Sequence, residues 1–181
     1  RGDTPENYDH KIARDLFYRI VGGIVAELRG RPIEQILFVW SNDFFNSDNE
    51  AKTTTAGTPQ DTDVRSKKLF NVGWEMLIRA IEMLAEVAPV KTFYTPSNHD
   101  EETAYHALGV LSAWFRFDER VEVDLDAYPR KYELYGNTLI GFTHGNKEND
   151  RGGKEKASRL ASLMPIEAKE FWGKARYYEM H

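Results

Sequence analysis

Hydrophobic and polar positions fall into blocks whose periods change along the chain. Between Asp9 and Leu28, Ile12, Leu16, Ile20, Ile24 and Leu28 recur every four positions, which predicts an amphipathic helix burying that stripe. Gly30, Arg31 and Pro32 break it, and the nearly continuous apolar run Gln35 to Trp40 predicts a strand covered on both faces. The stretch from Ser47 to Arg65 has almost no large apolar residue and reads as a long surface loop. A second helix carries Leu69, Val72, Met76, Leu77, Ala80, Ile81 and Leu84 and cannot continue past Pro89. Val90 to Thr95 is the next strand. After the polar turn Pro96 to Asp100, Glu101 to Phe115 forms a third helix with Ala104, Tyr105, Leu108 and Leu111 on its packed face. Three shorter β-like runs follow, Val121 to Leu125, Lys131 to Tyr135 and Thr138 to Thr143, the last two joined through Gly136-Asn137 as a tight hairpin. Lys154 to Met164 and Ile166 to Trp172 read as helices on either side of Pro165, and Arg176 to Met180 as a final strand. The order α, β, α, β, α followed by a hairpin predicts an α/β fold whose sheets are partly antiparallel.

With 41% hydrophobic residues among 181, the chain can bury a core, which excludes a disordered tail or a collagen-like fibre. One domain spanning 1–181 is the expectation at this length. A net charge of −5 argues against a broad footprint on duplex DNA. The absence of cysteine excludes disulfides, thiolate metal sites and a Cys nucleophile, so any metal must be held by His, Asp, Glu and Asn. No apolar run approaches the ~20 residues of a membrane helix, and the polar first residues do not form a secretory signal. A cytoplasmic protein without a membrane partner is expected.

Polar clusters sit at the predicted carboxyl ends of strands: Ser41-Asn42-Asp43, Ser97-Asn98-His99-Asp100 and Thr143-His144-Gly145. In open α/β sheets ligand sites form at these ends, so the three clusters are expected to converge. A carboxylate, an amide oxygen and an imidazole suit Mn²⁺, Fe²⁺ or Zn²⁺, and Asp43 is placed to bridge two ions ~3.5–4 Å apart. His99 is then left for proton transfer.

In this order the clusters resemble the calcineurin-like metallophosphoesterase family, whose blocks are D-x-H, G-D-x-x-D, G-N-H-D/E, H and G-H-x-H. Asn42-Asp43-Phe44-Phe45-Asn46 is similar to the second block, Ser97-Asn98-His99-Asp100 to the third and His144 to the fourth. The Ser47-Asp48-Asn49 and Thr58-Pro59 stretches also look similar to phage-encoded members. The resemblance implies a metallophosphoesterase-like αββα sandwich with mixed β-sheets, holding two divalent metal ions, Mn²⁺ first among them. It makes Asp43 the bridging carboxylate, Asn98 and His144 ligands of the second metal, His99 the general acid, and Asn46 the residue that orients His99. The implied activity is hydrolysis of a phosphoester, a phosphodiester or DNA before a phosphomonoester. The alternative is a family-like scaffold that binds a protein partner without hydrolysis.

The chain departs from the family pattern in several places. Asn42 and Ser97 stand where glycines are usual, and Ser97 would be costly if its position needs positive φ. Asn46 replaces an Asp, so it supports an imidazolium without a charge. Neither D-x-H nor G-H-x-H occurs, so short pieces carrying further ligands are expected at each end of the segment. His10 and His106 read as ordinary surface or core residues, Asp100 as the cap of the following helix, and Phe44 and Phe45 as packing. Lys147, Arg151, Lys154, Lys156 and Arg159 form either a solvated face or a set of cations steering a phosphodiester, and the Ser47 to Arg65 loop either a substrate lid or a tolerated insertion.

Overall fold

The computed structural model describes residues 9–40, 43–62, 64–146 and 156–181, with side chains in the last range from 162 onward. The fold is α/β with mixed sheets. The chain divides into two compact units, Arg1–Tyr94 with Asn98–Asp126, and Thr95–Ser97 with Ala127–His181.

The first unit holds α1 (His10–Leu28), β1 (Ile36–Trp40), α2 (Ser66–Ala85), β2 (Val90–Tyr94), α3 (Glu101–Phe115) and β3 (Val121–Val123). Its three strands are parallel in the order β1-β2-β3, with Trp40 opposite Tyr94 and Thr92 opposite Val123. The central strand β2 is almost wholly buried, which explains its continuous apolar run. Its one polar core residue, Thr92, is satisfied by donating its hydroxyl to the Phe38 carbonyl at 2.8 Å. Helix α2 packs against α1 and α3 and supplies Leu77, Ala80 and Ile81, all fully buried, to a core shared with Val90, Leu108 and Leu111.

Helix α1 begins where the pattern placed it. Asp9 is its N-cap, accepting from the Lys11 and Ile12 amides at 2.8 and 2.9 Å, and the Ile12 bond holds its carboxyl below the usual carboxylate range. The buried face, however, differs from the expected one. Val21 and Val25 are buried and Phe17 packs on the core, whereas Ile12, Ile20 and Ile24 are 43–53% exposed. Two apolar rows one residue apart run along this helix at the same spacing of four, and α2 covers the row through Phe17, Val21 and Val25.

The second unit holds β4 (Arg130–Tyr135), β5 (Thr138–Thr143), α4 (Lys156–Glu167), α5 (Lys169–Trp172) and β6 (Tyr177–Met180). β4 and β5 form the expected antiparallel hairpin, and β6 joins β5 in parallel. Gly136 opens the turn with φ 56°; positive φ at the first of two turn residues is the pattern of a type II′ hairpin. Leu139, Met164 and Ala168 form a small core flanked by Tyr132, Phe171, Trp172 and Met180. Helix α4 does not stop at Pro165, as the sequence pattern suggests, but runs to Glu167. The ring removes one N–H bond without ending the helix, and the break falls at Ala168. Arg130 clamps this helix to the sheet with a fork onto Glu167, Nε to Oε2 at 2.7 Å and Nη2 to Oε1, while the Tyr132 hydroxyl donates to the same carboxylate at 2.7 Å.

Candidate functional site

Two segments, each following a strand of the parallel sheet, meet in the first unit. Asp43 to Asp48 follows β1, and Asn98 to Thr103 follows β2 and enters α3. Adjacent parallel strands deliver both segments to the same end of the sheet, as the strand-end argument requires. The two are stitched together by a series of hydrogen bonds. The His99 amide donates to Asp43 Oδ1 at 3.3 Å, and the His99 ring Nδ1 meets Asn46 Oδ1 at 3.3 Å. The Phe45 amide donates to Asp100 Oδ2 at 2.6 Å, and the Thr103 amide to Asp48 Oδ1 at 2.7 Å.

The local backbone explains the residue types. Asp43 and Asn46 have φ of 62° and 61°, in the left-handed region that Asp and Asn tolerate better than other residues bearing a side chain. The Asp43 carbonyl accepts from the Asn46 amide at 3.0 Å, closing a tight turn that aims both side chains at the segment after β2. An amide oxygen can only accept, so the contact with Asn46 places the proton of a neutral His99 on Nδ1 and leaves Nε2 for proton exchange. Ser97, fully buried, does not have positive φ, so a serine sits at this position without backbone strain. Asn42 lies outside the described residues.

Asp100 holds the N-cap position of α3 but does not cap it; its fully buried carboxylate is turned to the Phe45 amide instead. The cap comes from across the fold. Thr103 is the third helical residue, the amide a capping side chain ordinarily satisfies, and here Asp48 supplies the oxygen from 55 residues away. Asp48 Oδ2 also accepts from the Thr55 hydroxyl at 2.8 Å. The loop after Ser47 is a folded structure: Thr53 bridges Pro59 antiparallel, Gly57 turns at φ 90°, and Ser47 and Thr54 are buried. Most of the segment is exposed, as expected of a surface loop, and its start carries the cap of the helix that follows His99.

Phe45 is the pivot of this arrangement. It is 2% exposed and rests on Gly73 of α2 so closely that a Cβ on Gly73 would lie 2.2 Å from its ring. Phe44 and Phe45 are packing residues, as expected, with Phe44 edge-on to Trp40 and Phe45 against Phe70. Nearby, burial and the acidic residues at the start of α3 push the Tyr94 hydroxyl well above the ordinary range of a phenol, so it stays protonated.

The structure thus brings Asp43, Asn46, Asn98, His99 and Asp100 into two adjoining segments. His144 belongs to the second unit, where it directly follows β5 in a turn whose Gly145 amide donates to Thr143 Oγ1 at 3.2 Å. Lys147, Arg151 and Lys154 lie outside the described residues, as do the side chains of Lys156 and Arg159. His10 lies on α1; His106 lies on α3, three residues after Thr103. The Asp43 carboxylate and the Asn98 amide fit a hard or borderline divalent cation in kind, as oxygen donors. In number they are two, and among the described residues no group of three or more His, Cys, Asp or Glu gathers. The sequence does not single out Thr55 or Gly73, and it gives Asp48 only as part of the Ser47-Asp48-Asn49 stretch, with no capping role. No helix among the described residues is long and apolar enough to cross a membrane. No family model, curated protein or solved structure matches the chain.

Proposed function

We propose that this protein is a metal-dependent phosphoester hydrolase of the metallophosphoesterase type, with an αββα sandwich fold and a phosphodiester as its substrate. The observation that carries the reading is the hydrogen-bonded set Asp43, His99 and Asn46, held at the ends of two adjacent parallel strands by a left-handed turn. Asp43 and Asn98 would hold divalent metal, Mn²⁺ first; His144 is a ligand by the family resemblance alone. Bound metal supplies Lewis-acid stabilisation of charge on the phosphoryl oxygens and lowers the pKa of the attacking water. His99, as the doubly protonated imidazolium, gives its Nε2 proton to the leaving oxygen as the P–O bond breaks, and Asn46 holds the ring by accepting from Nδ1. Asp43, engaged on one oxygen by the His99 amide, couples the position of the metal ligand to that of the acid.

The test is hydrolysis of bis-(p-nitrophenyl) phosphate with Mn²⁺ by the full-length protein, since the resemblance implies further ligands beyond the segment 1–181. His99→Ala should lower kcat by roughly 10²–10⁴-fold, and Asp43→Asn should abolish both hydrolysis and Mn²⁺ binding measured by calorimetry. Absence of hydrolysis with Mn²⁺, Fe²⁺, Zn²⁺ and Mg²⁺ would reject the enzyme in favour of a non-hydrolytic scaffold.

A further inference from the structure

A cavity of about 540 Å³ lies in the first unit beside this site, between the folded loop and the start of α2 and α3. Two of its lining residues, Phe45 and Ser47, flank Asn46, the residue that holds the His99 ring. Its apolar wall is formed by Leu69 and the half-buried Phe70, whose ring is backed by Phe45 at 5.7 Å. Polar groups converge on the same space from Ser47, Ser66 and Asn71. Among the described residues Lys67 is the one lysine or arginine in its lining, and it pairs with Glu50 at 2.6 Å, while His106 adds an imidazole to the wall. A phosphate therefore finds little fixed positive charge there, whereas a flat uncharged ring with hydrogen-bonding edges finds an aromatic face and amide, imidazole and hydroxyl partners.

From this geometry we infer that the cavity takes the nucleobase of the substrate's leaving group, which makes the substrate a nucleotide diester. The inference rests on the hydrolase reading for the term "leaving group", since the proton donor His99 stands on the leaving-oxygen side. Occupancy of the cavity by a base does not depend on that reading. Phe70 supplies the stacking face, and Asn71, whose Oδ1 accepts from the Trp74 indole at 3.3 Å, offers its Nδ2 to a base edge, while the Lys67–Glu50 pair marks the rim.

The probes are thymidine and adenosine, titrated into the chain without metal and followed by heteronuclear NMR. Binding at millimolar concentration is expected, with shifts at Leu69, Phe70 and Asn71, weakened roughly tenfold or more by Phe70→Ala. Ser66→Trp, at the first position of α2, fills the same space without removing a core side chain and should weaken binding equally; unchanged NMR dispersion certifies its fold. Failure of both nucleosides to bind, or binding that survives both substitutions, overturns the inference even if bis-(p-nitrophenyl) phosphate is hydrolysed. Nucleoside binding lost in both variants, in a chain that hydrolyses nothing, leaves the cavity assigned and rejects the hydrolase reading alone.

Discussion

The two units of the molecule are held together by different means. In the first, a parallel sheet and its helices share a cluster of 18 buried apolar residues, and the polar contacts that matter gather at one end of the strands. In the second, the buried cluster among the described residues has three members, and a forked ion pair ties helix to sheet. The contrast teaches that the candidate site stands on the part of the chain with the deeper core, where left-handed residues and a buried carboxylate can be held in place by the packing around them.

The comparison can be broken at its strongest point first. Leu108→Ala, at a fully buried position in the larger cluster, should destabilise the protein by about 3 kcal/mol, read as a lowered urea midpoint. Leu139→Ala, equally buried but in the thin cluster, should cost about 2 kcal/mol, because fewer neighbours hold the cavity open. A larger loss at Leu139 than at Leu108 would invert the contrast between the units.

Gly73→Ala sharpens the link between core and site. Alanine favours a helix by about 1 kcal/mol over glycine, yet its methyl would collide with the Phe45 ring, and overpacking costs ~1–3 kcal/mol. A net loss of about 1 kcal/mol is expected, together with weakened Mn²⁺ binding as the Phe45 amide is moved off Asp100. Stabilisation with unaltered metal affinity would show that the ring has room to move.

An effect of similar size, but dependent on pH, is expected at the polar clamp. Arg130, whose side chain is 16% exposed, holds the Glu167 carboxyl below its ordinary pKa of 4.5, against a raising effect of partial burial and with help from the Tyr132 hydroxyl. Because the folded-state pKa is depressed, the stabilisation is present in full above pH 4.5 and lost as pH falls through the lower folded value. Glu167→Gln should therefore cost about 1 kcal/mol at pH 7, and the difference from the parent, measured by thermal melts, should shrink as the pH is taken below 4.

Much of the fold was legible because its elements have strong periods. The strands from Ile36 and Val90 are continuous apolar runs, and Gly136-Asn137 announces its hairpin by turn chemistry. The buried face of α1 was not legible, since two rows of apolar residues share the same spacing and only the tertiary contact with α2 chooses between them. The pairing of Asp43 with His99 followed from strand-end logic, but the work of Asp100 and Asp48 did not. Capping rules look within a few residues, and here the third amide of α3 takes its oxygen from a distant loop while the nominal cap serves another segment. Gly73 was unreadable for a related reason: its meaning is the approach of Phe45, a residue 28 positions earlier on a different element.

Trp40 closes β1 three residues before Asp43, is 5% exposed, and lies with its ring 6.0 Å from both Phe44 and Tyr94. That burial gives the corner its own chromophore. An indole in such dry surroundings emits at short wavelength, apart from the solvent-bathed Trp114. With the other three tryptophans replaced by phenylalanine, the emission of the chain becomes an optical gauge of this one bend in the backbone.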